Sequence, residues 1–105
     1  MRIGGYSGLA RIVQPGGVEV HFACRYDVEE APYDGPISWR GNFAELDGGD
    51  DVGGRLDPHV GAQLVLPDGR RGSILIDTYN CGIDYAGRTE RGTFVGIGPY
   101  PGQAT

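Results

Sequence analysis

Two arginines and a histidine on neighbouring segments are the residues of this chain best suited by type and spacing to bind an anion. His21 and Arg25 lie four positions apart in one alternating segment, and Arg40 lies in the next. If the segments are adjacent antiparallel strands, the three side chains share the polar sheet face. Guanidinium groups form paired hydrogen bonds with carboxylate or phosphate, and histidine adds a titratable donor. The sequence therefore predicts an anion site here, against the alternative of an ordinary solvated face.

Two Gly-containing segments form the alternative place for a ligand. Residues 48–54 and the predicted connection 80–90 could form a rim at one end of the fold. The first segment belongs to an acidic stretch, and calcium binds oxygen-rich loops. Val52 stands where an EF-hand requires glycine, so we predict a solvated loop with no metal site and no cofactor. The candidate ligands considered are Asp47, Asp50, Asp51, Asp57 and His59.

Nucleophilic catalysis is not supported by the residue pattern. Cys24 alternates with His21 and therefore lies on the opposite, apolar face of its predicted strand. Cys24 and Cys81 are single cysteines without CxxC spacing, which predicts two reduced thiols. The chain also lacks a Gly-x-Ser-x-Gly elbow, an HExxH motif and a complete dinucleotide-binding fingerprint. We therefore expect a protein that is not an enzyme.

Composition narrows the class of partner. The net charge of −5 and the pI near 4.8 disfavour nucleic acid and anionic membrane surfaces as partners. No leader-like or membrane-spanning apolar run is present in the sequence, so a cytoplasmic location is expected. All nine basic residues are arginine. That bias is typical of a GC-rich genome, such as that of an actinobacterium or one of its phages.

Short alternating segments separated by turns predict one all-β domain over residues 1–105, with almost no helix. One helical turn is expected at residues 56–60, with Asp57 as cap and Pro58 in the first position. Residues 1–8 are predicted to be a lead-in, and residues 83–85 a short strand within the connection 80–90. Residues 99–102 are expected to end the ordered chain. The six predicted strands are residues 9–14, 18–27, 37–43, 61–66, 73–79 and 91–98.

The segment around Trp39 is predicted to be the centre of the core. Ile37, Trp39, Gly41 and Phe43 alternate with polar residues, and a buried indole contributes a large apolar surface. A sheet of this size with one apolar face must curl to bury that face. We therefore expect a small antiparallel β-barrel or closed meander of about six strands, with a sandwich as the alternative. The predicted core residues are Tyr6, Phe22, Trp39 and Phe43.

Three short motifs resemble an actinobacterial domain of unknown function that also occurs fused behind flavin-dependent monooxygenases. They are Gly5-Tyr6-x-Gly8-x-Ala10, Gly17-Val18-Glu19-Val20 and Asp34-Gly35-x-x-x-Trp39-x-Gly41. In that family the tryptophan motif tends to read Trp-x-Gly-Arg, whereas this chain has Asn42 at the last position. The resemblance covers mainly the N-terminal half and implies a small β domain.

The sequence thus predicts a binding or accessory protein whose partner is another protein or a small anionic ligand. Self-association into a homo-oligomer is a further expectation. Two alternatives stay open. One is an accessory or catalytic role in flavin-dependent oxidation, which the resemblance implies through the fusion partners. The other is a structural component of a phage particle.

Overall fold

Six antiparallel strands close into one barrel, which confirms the all-β prediction. The structure is a computed structural model that describes residues 1–33, 35–44, 56–84 and 87–103. Around the barrel the strands follow the order β1-β2-β3-β6-β5-β4. Their bounds are β1 (Arg2–Gln14), β2 (Val18–Glu30), β3 (Ile37–Ala44), β4 (Ala62–Val65), β5 (Arg71–Asp84) and β6 (Gly87–Ile97).

The strand order differs from that of a simple closed meander. β3 pairs with β6, and β4 pairs with β1 on the other side of the closure. The barrel therefore consists of two three-stranded meanders, β1–β2–β3 and β4–β5–β6, joined along both edges. The closure between β1 and β4 involves only Arg11, Ile12 and Val13 of β1, so residues 2–10 pair with β2 alone in the described structure.

Alternation along the strands separates the barrel interior from the solvent. Every second residue of β2, from Val20 to Val28, is buried, and Phe43 and Phe94 are buried from the facing strands. The Phe22 and Phe43 rings lie 4.7 Å apart, and Phe43 and Phe94 6.5 Å apart. Ile37 departs from the predicted pattern, since it is exposed at the start of β3. Of the four predicted core residues, Phe22, Trp39 and Phe43 are buried and Tyr6 is half-buried against them.

Trp39 occupies a space that glycines leave open. Its indole lies directly against Gly96 on β6, where any Cβ would overlap the ring, and it also contacts Gly72 on β5. The indole nitrogen donates a hydrogen bond of 3.0 Å to the Gly98 carbonyl. The ring meets Tyr26 edge-on at 5.3 Å. Glycine spacing on β5 and β6 thus positions the tryptophan of β3.

Three predicted boundaries were wrong because backbone pairing extends beyond the apolar pattern. β1 begins at Arg2, since the glycine-rich residues 4–8 pair residue for residue with β2. The predicted connection 80–90 is instead a continuation of the β5–β6 hairpin, in which Asn80 pairs with Arg91 and Asp84 with Gly87. Neither segment alternates in hydrophobicity, because glycine and polar residues interrupt both. Main-chain hydrogen bonds, which every residue offers, form the ladder there.

The chain beyond β6 packs against the barrel and is described as far as Gln103, close to the predicted end of the ordered chain at residues 99–102. Pro101 is among the fully buried side chains and contacts the position that a Gly72 side chain would occupy. Tyr100 packs against the core, and its backbone N–H donates to the Gln103 side chain. Residues 99–103 therefore cover the barrel end next to Trp39.

Gln14 attaches the segment before β4 to β1. Its amide nitrogen donates to the carbonyls of Asp57 and Val60, at 2.7 and 3.1 Å, and its amide oxygen accepts from the Asp57 N–H at 2.9 Å. Among the described residues, Gln14 is the only buried residue with a polar or charged side chain. Residues 56–60 form a turn in place of the predicted helical turn. The Asp57 carboxylate caps that turn by accepting from the His59 N–H.

Cys24 carries a free thiol on the interior face of β2, while the side chain of Cys81 lies outside the described part of the chain. Burial raises the pKa of the Cys24 thiol from 9.0 to about 12. The unfolded chain therefore loses this proton at lower pH than the folded chain does. Ionisation of this thiol therefore leaves the free energy of unfolding unchanged below about pH 9 and lowers it as the pH rises toward 12.

We expect alkaline destabilisation that depends on Cys24. In a Cys81→Ser background, the free energy of unfolding should fall by about 1–2 kcal/mol between pH 9 and pH 10.5. Urea unfolding at several pH values measures the slope. Cys24→Ala should lower stability at neutral pH and make the slope shallower, leaving the part due to Tyr6 and Tyr26, whose pKa values burial also raises. An unchanged slope in Cys24→Ala would contradict the assignment.

Candidate ligand-binding surface

The outer surface of β2, β3 and β6 brings three arginines around one asparagine. Asn42 pairs with Arg25 on β2 and with Thr93 on β6. Arg40 precedes Asn42 by two residues on the same face, and Arg91 is its diagonal neighbour through the Ala44–Arg91 pair. Side chains directly opposite each other are about 5 Å apart at Cβ, and diagonal ones about 7–8 Å. We call Arg25, Arg40, Asn42, Arg91 and Thr93 the arginine face.

Two glycines bring the strands of this surface close together. A Cβ at Gly41 would overlap the Arg25 carbonyl and the Tyr26 backbone, so β3 lies unusually near β2. A Cβ at Gly92 would overlap the Thr78 carbonyl and the Phe43 ring. Gly41 lies between two outward residues of β3, and Gly92 between two of β6. Close backbone approach is a typical reason for glycine inside a strand.

The side-chain contacts of the arginine face differ from those of the other described arginines. Within the described residues, Arg25, Arg40 and Arg91 form no ion pair and no hydrogen bond through their side chains. Asp27 is opposite Arg40 in register, yet its carboxylate lies 3.1 Å from Arg2 Nε. Other arginines are paired: Arg11 with Glu19 at 2.7 Å, and Arg70 with Asp68 at 2.6 Å.

Two shallow grooves run along the arginine face. One, of about 310 Å³, passes over Asn42, Arg91 and Thr93 and continues to Thr78 and Asn80. The hydroxyls of Thr78 and Thr93 lie 2.8 Å apart in its floor. The other groove has a volume of about 340 Å³ and is lined by residues of four strands. These residues are Asp27, Arg40, Gly41, Asn42, Asp77, Thr93, Phe94 and Val95. Arginine, asparagine and threonine side chains thus line both grooves, and the second also contains the carboxylates of Asp27 and Asp77.

His21 is not part of this arrangement. It lies four residues from Arg25 on the same face of β2, which places it about 13 Å away. Its imidazole is 4.0 Å from the Glu19 carboxylate and opposite Arg11. Glu19 has a lowered pKa because it accepts a hydrogen bond from Arg11, so this corner of the sheet carries its own paired charges. The described structure brings Arg25 and Arg40 together and leaves His21 apart.

Arg91 is the residue that inspection of the sequence missed. It was assigned to the start of the last strand, with Glu90 and the predicted connection before it. Its outward position follows from alternation along β6, in which Phe94 is buried while Arg91 and Val95 are exposed. Its proximity to Asn42 depends on the pairing of β3 with β6, which sequence order does not reveal.

The other candidate sites fall largely outside the described residues. Residues 48–54 of the Gly-rich rim, and Asp47, Asp50 and Asp51 of the acidic stretch, are not described. Among the residues that are described, no group of three or more His, Cys, Asp or Glu side chains could hold a metal ion. The same residues include no helix long and apolar enough to cross a membrane.

Comparisons with known proteins add no relative from which a role could be transferred. The chain matches no family model, no curated protein and no solved structure. The resemblance to an actinobacterial domain therefore stays a prediction. Any account of function must be based on the barrel and its arginine face.

Proposed function

We propose that this protein is a non-enzymatic binding module that recognises an anionic group, carboxylate or phosphate, on the arginine face. The observation that carries the proposal is the set of three guanidiniums without a described ionic partner, gathered around Asn42. These three arginines outnumber the two carboxylates beside them, Asp27 and Asp77, on a chain that is acidic as a whole. Arginine suits this role because its planar fork donates two parallel hydrogen bonds to one anionic group.

Rigid positioning supports this function. The arginine face is built on paired strands rather than on loops, and side chains on such elements hold a more defined geometry. Asn42 and Thr93 add neutral hydrogen-bonding groups between the arginines, which could fix the orientation of the bound group. The surface is open, which favours a group presented by a larger partner or a small polyanion over a fully enclosed ligand.

The test is a titration followed by NMR amide shifts, using citrate, inorganic phosphate and a short poly-glutamate peptide as separate probes. We expect at least one probe to shift Arg25, Asn42 and Thr93 with an affinity that falls as salt is added. In Arg25→Ala/Arg91→Ala that affinity should fall about tenfold or more, because each charge-assisted hydrogen bond contributes about 1.5–3 kcal/mol. Response to citrate or phosphate alone would indicate a small ligand, and preference for the peptide an acidic partner segment.

Arg11→Ala is the matched control. It removes the same charge from the outer barrel surface, but from an arginine already paired with Glu19. Binding should be nearly unchanged in this variant. Equal loss in Arg11→Ala and the double variant would show that only net charge matters. Shifts confined to residues 48–54 and 80–90 would place the site on the rim and contradict the proposal.

A further inference from the structure

A contiguous apolar patch lies on the outside of the β5–β6 hairpin. Leu75 and Val95 pair directly across the two strands, and Ile97 follows on the same face of β6, opposite Ser73. Their exposed fractions are 47%, 38% and 46%. We call Leu75, Val95 and Ile97 the β5–β6 patch. Single exposed apolar residues are ordinary, whereas adjacent ones on a rigid sheet are typical of an interaction surface.

Two charged residues flank the patch along β5, one at each end. The outward residues of this strand read Arg71, Ser73, Leu75 and Asp77. Arg71 makes a 3.3 Å hydrogen bond to the neutral Gln63 side chain and has no ionic partner among the described residues. Asp77 likewise has no described ionic partner and borders the groove beside Val95. The strand therefore carries a positive charge at one end, a negative charge at the other and apolar surface between them.

Two copies of β5 that run in opposite directions would place opposite charges against each other at both ends. A two-fold axis perpendicular to β5 at the level of Ile74 would place Arg71 of one copy opposite Asp77 of the other, and Ser73 opposite Leu75. Ile74 pairs with Gly96, which is the midpoint between Val95 and Ile97 on β6. The same axis therefore places Val95 of one copy opposite Ile97 of the other. One symmetry operation therefore pairs the charges of β5 and the apolar residues of β6, with Leu75 of each copy against Ser73 of the other.

We propose that the protein forms a two-fold symmetric homodimer through the β5–β6 patch, with the hairpins of the two copies packed face to face and antiparallel. Such an interface uses the same surface on both subunits, as two-fold dimers do. Face-to-face packing is the geometry that buries this patch, because its three exposed apolar side chains lie on the outer face of the sheet. Arg71 pairs with Asp77 of the second copy twice by symmetry, around a centre of Leu75, Val95 and Ile97. The patch adjoins the arginine face, because Val95 on β6 pairs with Arg40 on β3.

Sedimentation equilibrium of the full chain over a range of concentrations tests the association. We expect a monomer–dimer equilibrium that Leu75→Arg shifts to monomer throughout. Leu9→Arg is the matched control, since Leu9 is an exposed leucine on the outer face of β1, away from the hairpin, and should dimerise as the parent does. A parent chain that stays monomeric at millimolar concentration, or equal weakening by the two arginine variants, would overturn the proposal.

Charge exchange tests the antiparallel arrangement. Arg71→Asp and Asp77→Arg each place like charges opposite each other at two symmetric contacts, so each should weaken the dimer about tenfold or more. The double variant exchanges the charges and should restore dimerisation to near the parent value. Both changed positions are exposed, and circular dichroism checks that each of the three variants folds. Failure of the double variant to recover would overturn the antiparallel register.

Discussion

Replacing Trp39 with alanine should lower the free energy of unfolding by about 3–5 kcal/mol, the range found for large aromatic side chains removed from cores. The indole is 3% exposed. It packs edge-on against Tyr26 and Phe94 and fills the space that Gly72 and Gly96 leave open. Removing it would leave a cavity bordered by backbone, which cannot collapse as flexible side chains do. Urea unfolding followed by circular dichroism measures the loss.

Two further variants separate the contributions to this effect. Trp39→Phe keeps an aromatic ring but removes the donor that bonds the Gly98 carbonyl, so the loss should be smaller. Leu9→Ala removes an exposed side chain and should change stability by less than about 0.5 kcal/mol. If Trp39→Ala were as stable as the parent, the indole would have to act at a surface rather than in the core.

Replacing Gln14 with leucine should lower stability by about 2–4 kcal/mol, although the substitution is nearly isosteric and apolar. The side chain of Gln14 satisfies the N–H of Asp57 and the carbonyls of Asp57 and Val60. Leucine can pair with none of these groups, and each buried polar group without a partner costs about 1–3 kcal/mol. We expect both a lower unfolding midpoint in urea and faster amide exchange at Asp57.

Gln14→Glu provides the control for shape. It keeps the acceptor for the Asp57 N–H but loses the donor to the two carbonyls, and it introduces a charge at a buried position. It should therefore be destabilised as well, and more so at high pH, where the carboxylate is ionised. A Gln14→Leu variant of parental stability would show that water replaces the lost bonds at no cost. Gln63→Leu, at an exposed position of β4, should be nearly neutral.

How the barrel closes was beyond prediction from local pattern. Alternation in residues 18–27 and 37–43 identifies β2 and β3 and assigns Phe22, Trp39 and Phe43 to the interior, because inward and outward residues must alternate on a strand with one buried face. The pairing of β3 with β6 depends on contacts between segments about fifty residues apart. No local pattern encodes such a pairing. The same limit explains why Arg91 was not associated with Arg25 and Arg40.

Sequence alone determined that this chain is a small all-β domain, that Trp39 lies at its centre and that Arg25 and Arg40 share an outer face. Each of these follows from side-chain type and a two-residue period, which are local properties. Tertiary structure alone decided the extent of β1, β5 and β6, the separation of His21 from the arginines, and the juxtaposition of Leu75 with Val95. Those features depend on backbone pairing and strand register. Segments rich in glycine and polar residues can pair through their backbones although their sequences show no alternating hydrophobic pattern. Strand register follows from closure of the whole barrel.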